Sequence, residues 1–202
     1  MGRKSLAEER RAQIIEGLSR CIAKYGLKRA SVKKIAEEAG VLPSILHHYF
    51  KDRDEIIDEL VRQVVDDLAD RCAAQLRAHT SPKTRFDKGV DFLFGPPLLS
   101  EDTIAFFNEV WPEANRKPRV RESFSRLYRR FREVVLELLN ETGKSRGLSP
   151  TDAKDLASMI IAIHDGVEQQ WTFDRDNLSL KRMARMTKQM LELYVKDKGY
   201  AG

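Results

Sequence analysis

A chain of 202 residues with 42% hydrophobic side chains can build one large domain or two small ones around a core. It has no apolar run near the roughly 18 residues of a membrane helix, no apolar signal core in "MGRKSLAEERR", and Leu6 where a myristoylation motif needs Ser or Thr, so a soluble, cytoplasmic protein with no membrane partner is expected. The formal charge of +5 is unevenly held. Residues 1–53 carry 12 basic and 6 acidic side chains and the remainder 24 and 25, as in a small nucleic-acid-binding module joined to a neutral region.

Strand signals are nearly absent, and apolar residues recur at helical spacing almost throughout. In the first helix Ile14, Ile15, Leu18, Cys21, Ile22 and Tyr25 form one stripe, and Gly26 is a natural stop. Ser31 caps a short helix with Ile35, Ala36 and Ala39 on its buried face, and Gly40 ends it in a tight turn. Leu42 is pushed out of helical geometry by Pro43, which suits a first helical position, so the third helix spans about 43–49 with Leu46 and Phe50 inward. Asp52 and Glu55 form a D-x-x-E capping arrangement. The fourth helix after it runs to about residue 77 through Ile56, Leu60, Val64, Leu68, Cys72 and Leu76. Pro82 opens a fifth helix that "GPPLLS" ends, Ser100 and Pro118 start two more, and Ser149-Pro150 and Ser179 begin the last two. The fold class is therefore all-α, with about nine helices. A helix-turn-helix region occupies 1–53, and 54–202 form a helical region reached through the long helix. Cys21 and Cys72 make no CxxC pair and are expected as reduced, packed thiols.

Helix, capped short helix, glycine turn and second short helix make a helix-turn-helix, completed by the first helix and the basic arm of Arg3 and Lys4. With Leu46 and Phe50 inward, Pro43, Ser44, His47 and His48 face out, flanked by Lys33, Lys34, Lys51 and Arg53. Cations of that kind hold phosphates, while uncharged donors and apolar groups read base edges. Metal binding by His47 and His48 is not expected: adjacent helical residues point about 100° apart and no third ligand is near. Nor is catalysis, because no nucleophile or carboxylate is spaced to serve them. Plain surface histidines are the alternative to DNA contact, which is favoured.

Residues 10–56 resemble the TetR family of bacterial transcriptional repressors, through "ASVKKIAEEAGV", "LHHYFKDRDEI" and the long helix that follows. The resemblance implies a homodimer that blocks a promoter until a small-molecule effector binds its C-terminal region. It also implies phosphate contacts by Ser31 and by a basic residue at Arg53. Residues matching Pro43, Ser44, His47 and His48 would enter the major groove, with Tyr49 close to the backbone. Leu42 and Ile45 stand where polar residues are usual, and His47 replaces a common tyrosine. The apolar pair either touches thymine methyl groups or packs the helix start, and packing is the expectation.

In the eighth helix Ala153, Ala157, Ile160, His164, Val167 and Trp171 recur at steps of three and four. In the ninth, Met183, Met186, Met190 and Leu193 do the same. Two such stripes suit a four-helix seam between copies, with Ala157, Ile160, His164, Gly166, Trp171, Met183 and Met190 in it. Gly166, costly inside a helix, would allow close backbone approach there. Intramolecular packing is the alternative, and the resemblance favours the dimer.

Aromatics crowd the middle of the chain, mostly as core. The resemblance places an effector cavity among helices five to eight. Phe92, Phe107, Asn108, Glu109, Trp111, Tyr128, His164 and Asp165 are candidates to line it, with Gln169 beside them. Glu109 and Asp165 lean toward a ligand with a cationic or hydrogen-bond-donating group. No GxSxG, HExxH, P-loop or GxGxxG occurs, so no enzyme, cofactor or metal is expected. A helical protein-interaction adaptor is the remaining alternative, but it leaves the charge excess on the helix-turn-helix unexplained.

Overall fold

The computed structural model describes residues 5–96, 98–144 and 147–197. Among them are nine α-helices: α1 (Leu6–Tyr25), α2 (Val32–Ala39), α3 (Pro43–Tyr49), α4 (Arg53–Arg77), α5 (Pro82–Leu93), α6 (Glu101–Ala114), α7 (Pro118–Glu141), α8 (Pro150–Phe173) and α9 (Leu180–Asp197). One 3-10 turn, Leu27–Arg29, joins α1 to α2.

The helix starts follow local chemistry. Ser31, Ser81 and Ser149 each accept the backbone N–H three residues on, satisfying a donor the helix itself cannot. Ser5 and Glu8 form a reciprocal capping box ahead of α1 that the sequence reading passed over. At α4 the Asp52 carboxylate accepts the Glu55 N–H at 2.8 Å, while Glu55 reaches back to the Lys51 N–H at 2.8 Å, one residue earlier than a standard box. Gly40 ends α2 at φ +67°, ψ +34°, a left-handed conformation that a side chain disfavours.

The chain divides into two compact units, residues 1–66 with 105–127 and residues 67–104 with 128–202, so α4, α6 and α7 each contribute to both. The unit that contains the helix-turn-helix thus reaches beyond residue 53. Its core is Ile14, Leu18, Leu27, Ile35, Leu46, Phe50, Ile56, Ile57 and Val61, all nearly inaccessible. Gly17 sets how closely α1 and α2 meet, because a Cβ there would lie 2.7 Å from the Ala39 Cβ. In the second unit α8 buries Ala153, Leu156, Ala157, Ile160, Ile161, His164 and Val167, and α9 buries Ala184, Thr187, Leu191 and Val195. No helix of the described residues is long and apolar enough to cross a membrane.

Candidate functional site

The reading helix presents the outward row expected of it. Pro43, Ser44, His47 and His48 are exposed while Leu46 and Phe50 are buried. Leu42 does not pack the helix start: at 67% exposure it stands in solvent at the N-cap of α3, and Ile45 is half-buried. The ring of Tyr49 meets His48 edge-on at 5.0 Å. Ser31, Lys33 and Lys51 are exposed, and the Lys34 ammonium lies 4.6 Å over the Tyr25 ring. Arg3 and Lys4 lie outside the described residues. Arg11, which the sequence reading passed over, holds the end of α3. It donates to the Tyr49 carbonyl at 2.5 Å and covers the Phe50 ring at 4.1 Å.

Arg53 is not a free cation awaiting phosphate. Its Nε donates to the Ala30 carbonyl at 2.6 Å and its Nη2 to the Leu27 carbonyl, so the guanidinium closes the turn between α1 and α2. Glu109 does not line a pocket either. Its carboxylate accepts the Leu27 N–H at 2.7 Å from the other side of the same turn. Further along, Lys117 bridges Asp54 at 2.6 Å and Glu113 at 3.1 Å, and Arg119 meets Asp52 at 3.4 Å. Arg126 meets Asp58 at 2.8 Å, and the Ser123 hydroxyl donates to the same carboxylate. Phe107 and Trp111, also expected in the pocket, instead gather round Phe124 at 6.1 and 5.1 Å, and Asn108 is exposed.

In the second unit an apolar cavity of about 30 Å³ is lined by residues that include Cys72, Phe86, Phe92, Phe131, Leu138 and Ile160. Of the expected ligand residues it includes only Phe92. It admits a water or two and no organic molecule. Burial pushes the Cys72 thiol up to about 11, leaving it a packing group.

One turn of α8 beyond Ile160 lies a polar cluster. Tyr128 donates to Asp165 at 3.0 Å. Burial lifts the Asp165 carboxyl to about 6 against that hydrogen bond, and burial with the Asp165 charge lifts Glu168 to about 7. Burial, then Asp165, pushes the Tyr128 phenol upward. Burial holds His164 near 4, against a backbone interaction with Leu93, so its imidazole is neutral. The His164 Nε2 sits 3.6 Å from Glu168, its ring meets Phe94 edge-on at 6.3 Å, and its Nδ1 is buried without a hydrogen-bond partner. No Lys or Arg among the described residues forms an ion pair with Asp165 or Glu168. Glu168 was missed in the sequence, although its i+3 spacing from Asp165 marks the pair. Among the described residues no group of three or more His, Cys, Asp or Glu is placed to hold a metal.

The residues expected in a seam between copies do not share one open face. Ala157, Ile160 and His164 are at most 4% exposed within a single chain, so they cannot meet a second copy. Gly166 does face out, and a Cβ there would meet nothing within 4 Å, so no close approach within the chain explains it. Trp171 is half-buried beneath the Arg175 guanidinium at 4.3 Å. The open face of α8 runs instead through Met159, Gly166 and Phe173, and Phe173 is 84% exposed. On α9, Met186, Met190 and Leu193 are exposed and Met183 is half-buried.

A helix-turn-helix on a basic unit, joined by continuous helices to a unit with a buried polar cluster, defines an effector-responsive DNA-binding regulator. Residues 14–60 match the family of bacterial regulatory proteins of the tetR type. Residues 82–196, more than half of the chain, match the C-terminal domain of BetI-type transcriptional repressors. The chain belongs to the TetR family, in its BetI-type branch. It is 25% identical to the HTH-type transcriptional regulator BetI of Rhizobium meliloti (strain 1021), over 94% of this chain and 91% of that one. It is 29% identical to BetI of Agrobacterium fabrum (strain C58), over 78% and 74%. A transcriptional regulator from Pseudomonas aeruginosa PAO1 shares its fold at a TM-score of 0.82 with 18% identity, covering 96% of this chain and 93% of that one. A transcriptional regulator from Saccharomonospora viridis, solved in complex with choline, is 26% identical at a TM-score of 0.73, covering 92% and 96%. The protein is a transcriptional repressor that binds DNA and answers to an effector.

Proposed function

We propose that this repressor acts in the cytoplasm as a homodimer on a palindromic operator and is released by a small quaternary ammonium compound of the choline type. The observation that carries the effector class is the pair of largely buried carboxylates, Asp165 and Glu168, which no Lys or Arg among the described residues pairs with. A permanent cation is the partner that such a pair lacks. It has no proton to lose on burial, and aromatic faces beside a carboxylate bind it by about 0.5–2 kcal/mol per ring. Tyr128 and Phe94 supply rings next to the cluster. The 26% identical relative solved with choline supports the same class.

The neighbouring cavity is too small for such a molecule, so a bound cation requires the helices around it to move apart. A ligand that prefers the opened conformation by about 2.7 kcal/mol lowers operator affinity about 100-fold. Dimerisation is assigned to the open face of Met159, Gly166 and Phe173 on α8 and Met183, Met186, Met190 and Leu193 on α9. Two copies then present two reading helices to successive major grooves. In titration calorimetry and operator gel shifts, choline binds the wild type and releases the DNA. The Asp165→Asn/Glu168→Gln protein binds the same DNA and ignores choline. Equal choline binding by the two proteins, or none by the wild type, overturns the effector assignment.

A further inference from the structure

The 3-10 turn that carries α1 into α2 is held by two side chains that lie beyond α3, Arg53 at the start of α4 and Glu109 of α6. Gly26 N–H bonds to the Ile22 carbonyl, Arg29 N–H to Gly26 and Ala30 N–H to Leu27, which leaves the Leu27 N–H with no backbone acceptor. Leu27 is 1% exposed, so an unmet donor there costs about 1–3 kcal/mol. Glu109 of α6 supplies the acceptor at 2.7 Å, a charge-assisted bond stronger than a neutral one. Gly26 makes room for it: at φ +75° its missing Cβ would lie 3.2 and 3.4 Å from the two Glu109 oxygens. Arg53, the first residue of α4, holds the carbonyls of Leu27 and Ala30 on the other side. The turn ends at Ser31, the cap from which α2 and then α3 are laid out.

We propose that Glu109 is a positioning residue for operator binding, in that its grip on the Leu27 amide fixes the angle at which the helix-turn-helix leaves α6. This extends beyond the repressor reading above and needs no particular effector. The aim of the two reading helices in a dimer is set by this angle, so loosening it blurs the half-site separation that the dimer accepts. A clamp that only stabilised the fold would lower the melting temperature and leave spacing preference intact.

The test uses a palindromic duplex selected from a random pool by the wild-type dimer, together with copies whose half-sites are moved by one or two base pairs. Dissociation constants and melting temperatures are measured for Glu109→Ala, Glu109→Asp, Glu109→Gln and, as a control on the same helix, the exposed Asn108→Ala. Glu109→Ala is expected to bind the selected duplex about tenfold more weakly, the scale of one charge-assisted hydrogen bond. It is also expected to discriminate severalfold less among spacings. Glu109→Gln keeps an acceptor oxygen and should return to within about threefold, and Asn108→Ala should match the wild type. Where the alanine protein fails to fold, Glu109→Asp carries the test: it keeps the charge but stops one methylene short of the amide. Variants that melt lower yet rank every spacing with wild-type contrast overturn the proposal, as does a folded Glu109→Gln protein that fails to recover.

Discussion

The two units differ in how far each completes itself. In the unit that reads DNA, the end of α3 is held by Arg11, and the turn before α2 is closed by Arg53 and Glu109. The first turns of α4 are tied by Lys117, Arg119 and Arg126. The other unit leaves groups open: among the described residues the Nδ1 of His164 is unbonded, two half-buried carboxyls have no Lys or Arg beside them in an ion pair, and a methionine-lined face is exposed. A region that must present one rigid surface satisfies its polar groups internally. A region that must accept a ligand leaves groups for it to satisfy.

The largest test of this contrast concerns the bare face. Met186→Asp or Phe173→Asp should convert the proposed dimer to monomers in sedimentation and lower operator affinity by at least about 100-fold, because one subunit covers one half-site. A dimer that survives both changes means that the face serves something else. Arg53→Ala comes next. It removes bonds to two carbonyls in a part-buried turn, and chemical denaturation should show a loss of about 2 kcal/mol. A loss of phosphate contact alone would leave stability unchanged and flatten the salt dependence of DNA binding by about one unit.

The acid pair gives a smaller effect with a definite sign. Asp165 and Glu168 hold protons in the native state up to about pH 6 and 7, whereas in the unfolded chain they ionise near the ordinary carboxyl values of 3.8 and 4.5. Between those limits the native state binds more protons, so their contribution to stability falls as pH rises through the window. His164, held near 4 from 6.5, tilts the other way below about pH 6.5, so the wild type must be compared with Asp165→Asn/Glu168→Gln across pH. The double variant should lose the downward slope and gain stability at pH 8. In the wild type, affinity for a quaternary ammonium ion should rise between about pH 6 and 7, as the carboxylates that bind it form. Leu42→Ser is the smallest. At 67% exposure it should change stability by less than about 0.5 kcal/mol, and any effect should fall on preference among operator variants.

Much of the fold was legible because its signals are local. Ser31, Gly40, Pro43, Pro82 and Ser149 act on backbone groups within three or four residues, so their types and positions mark the helix limits. The side of α8 that faces inward was not legible. Steps of three and four through Ala157, Ile160 and His164 define a face, and steps of seven through Met159, Gly166 and Phe173 define another. Spacing does not say which one packs against its own chain and which stays exposed. Glu109 was misplaced for a related reason: its partner, the Leu27 amide, is 82 residues away, and no pattern within α6 points to it. Arg53 sits among exposed cations in sequence, and only the position of the Leu27 and Ala30 carbonyls turns it inward.

The DNA-reading unit is assembled from two separated stretches of chain, 1–66 and 105–127. On the ribosome the first stretch is made roughly 60 residues before the second is complete, an interval of about three to twelve seconds at ordinary translation rates. During that interval the nascent helix-turn-helix has its apolar core but no Glu109 for the Leu27 amide and no Lys117 or Arg126 for Asp54 and Asp58. The emerging chain therefore lacks the contacts that set its operator-binding geometry until residue 127 has been added, and a gene truncated after the long fourth helix would encode a reading head without its alignment.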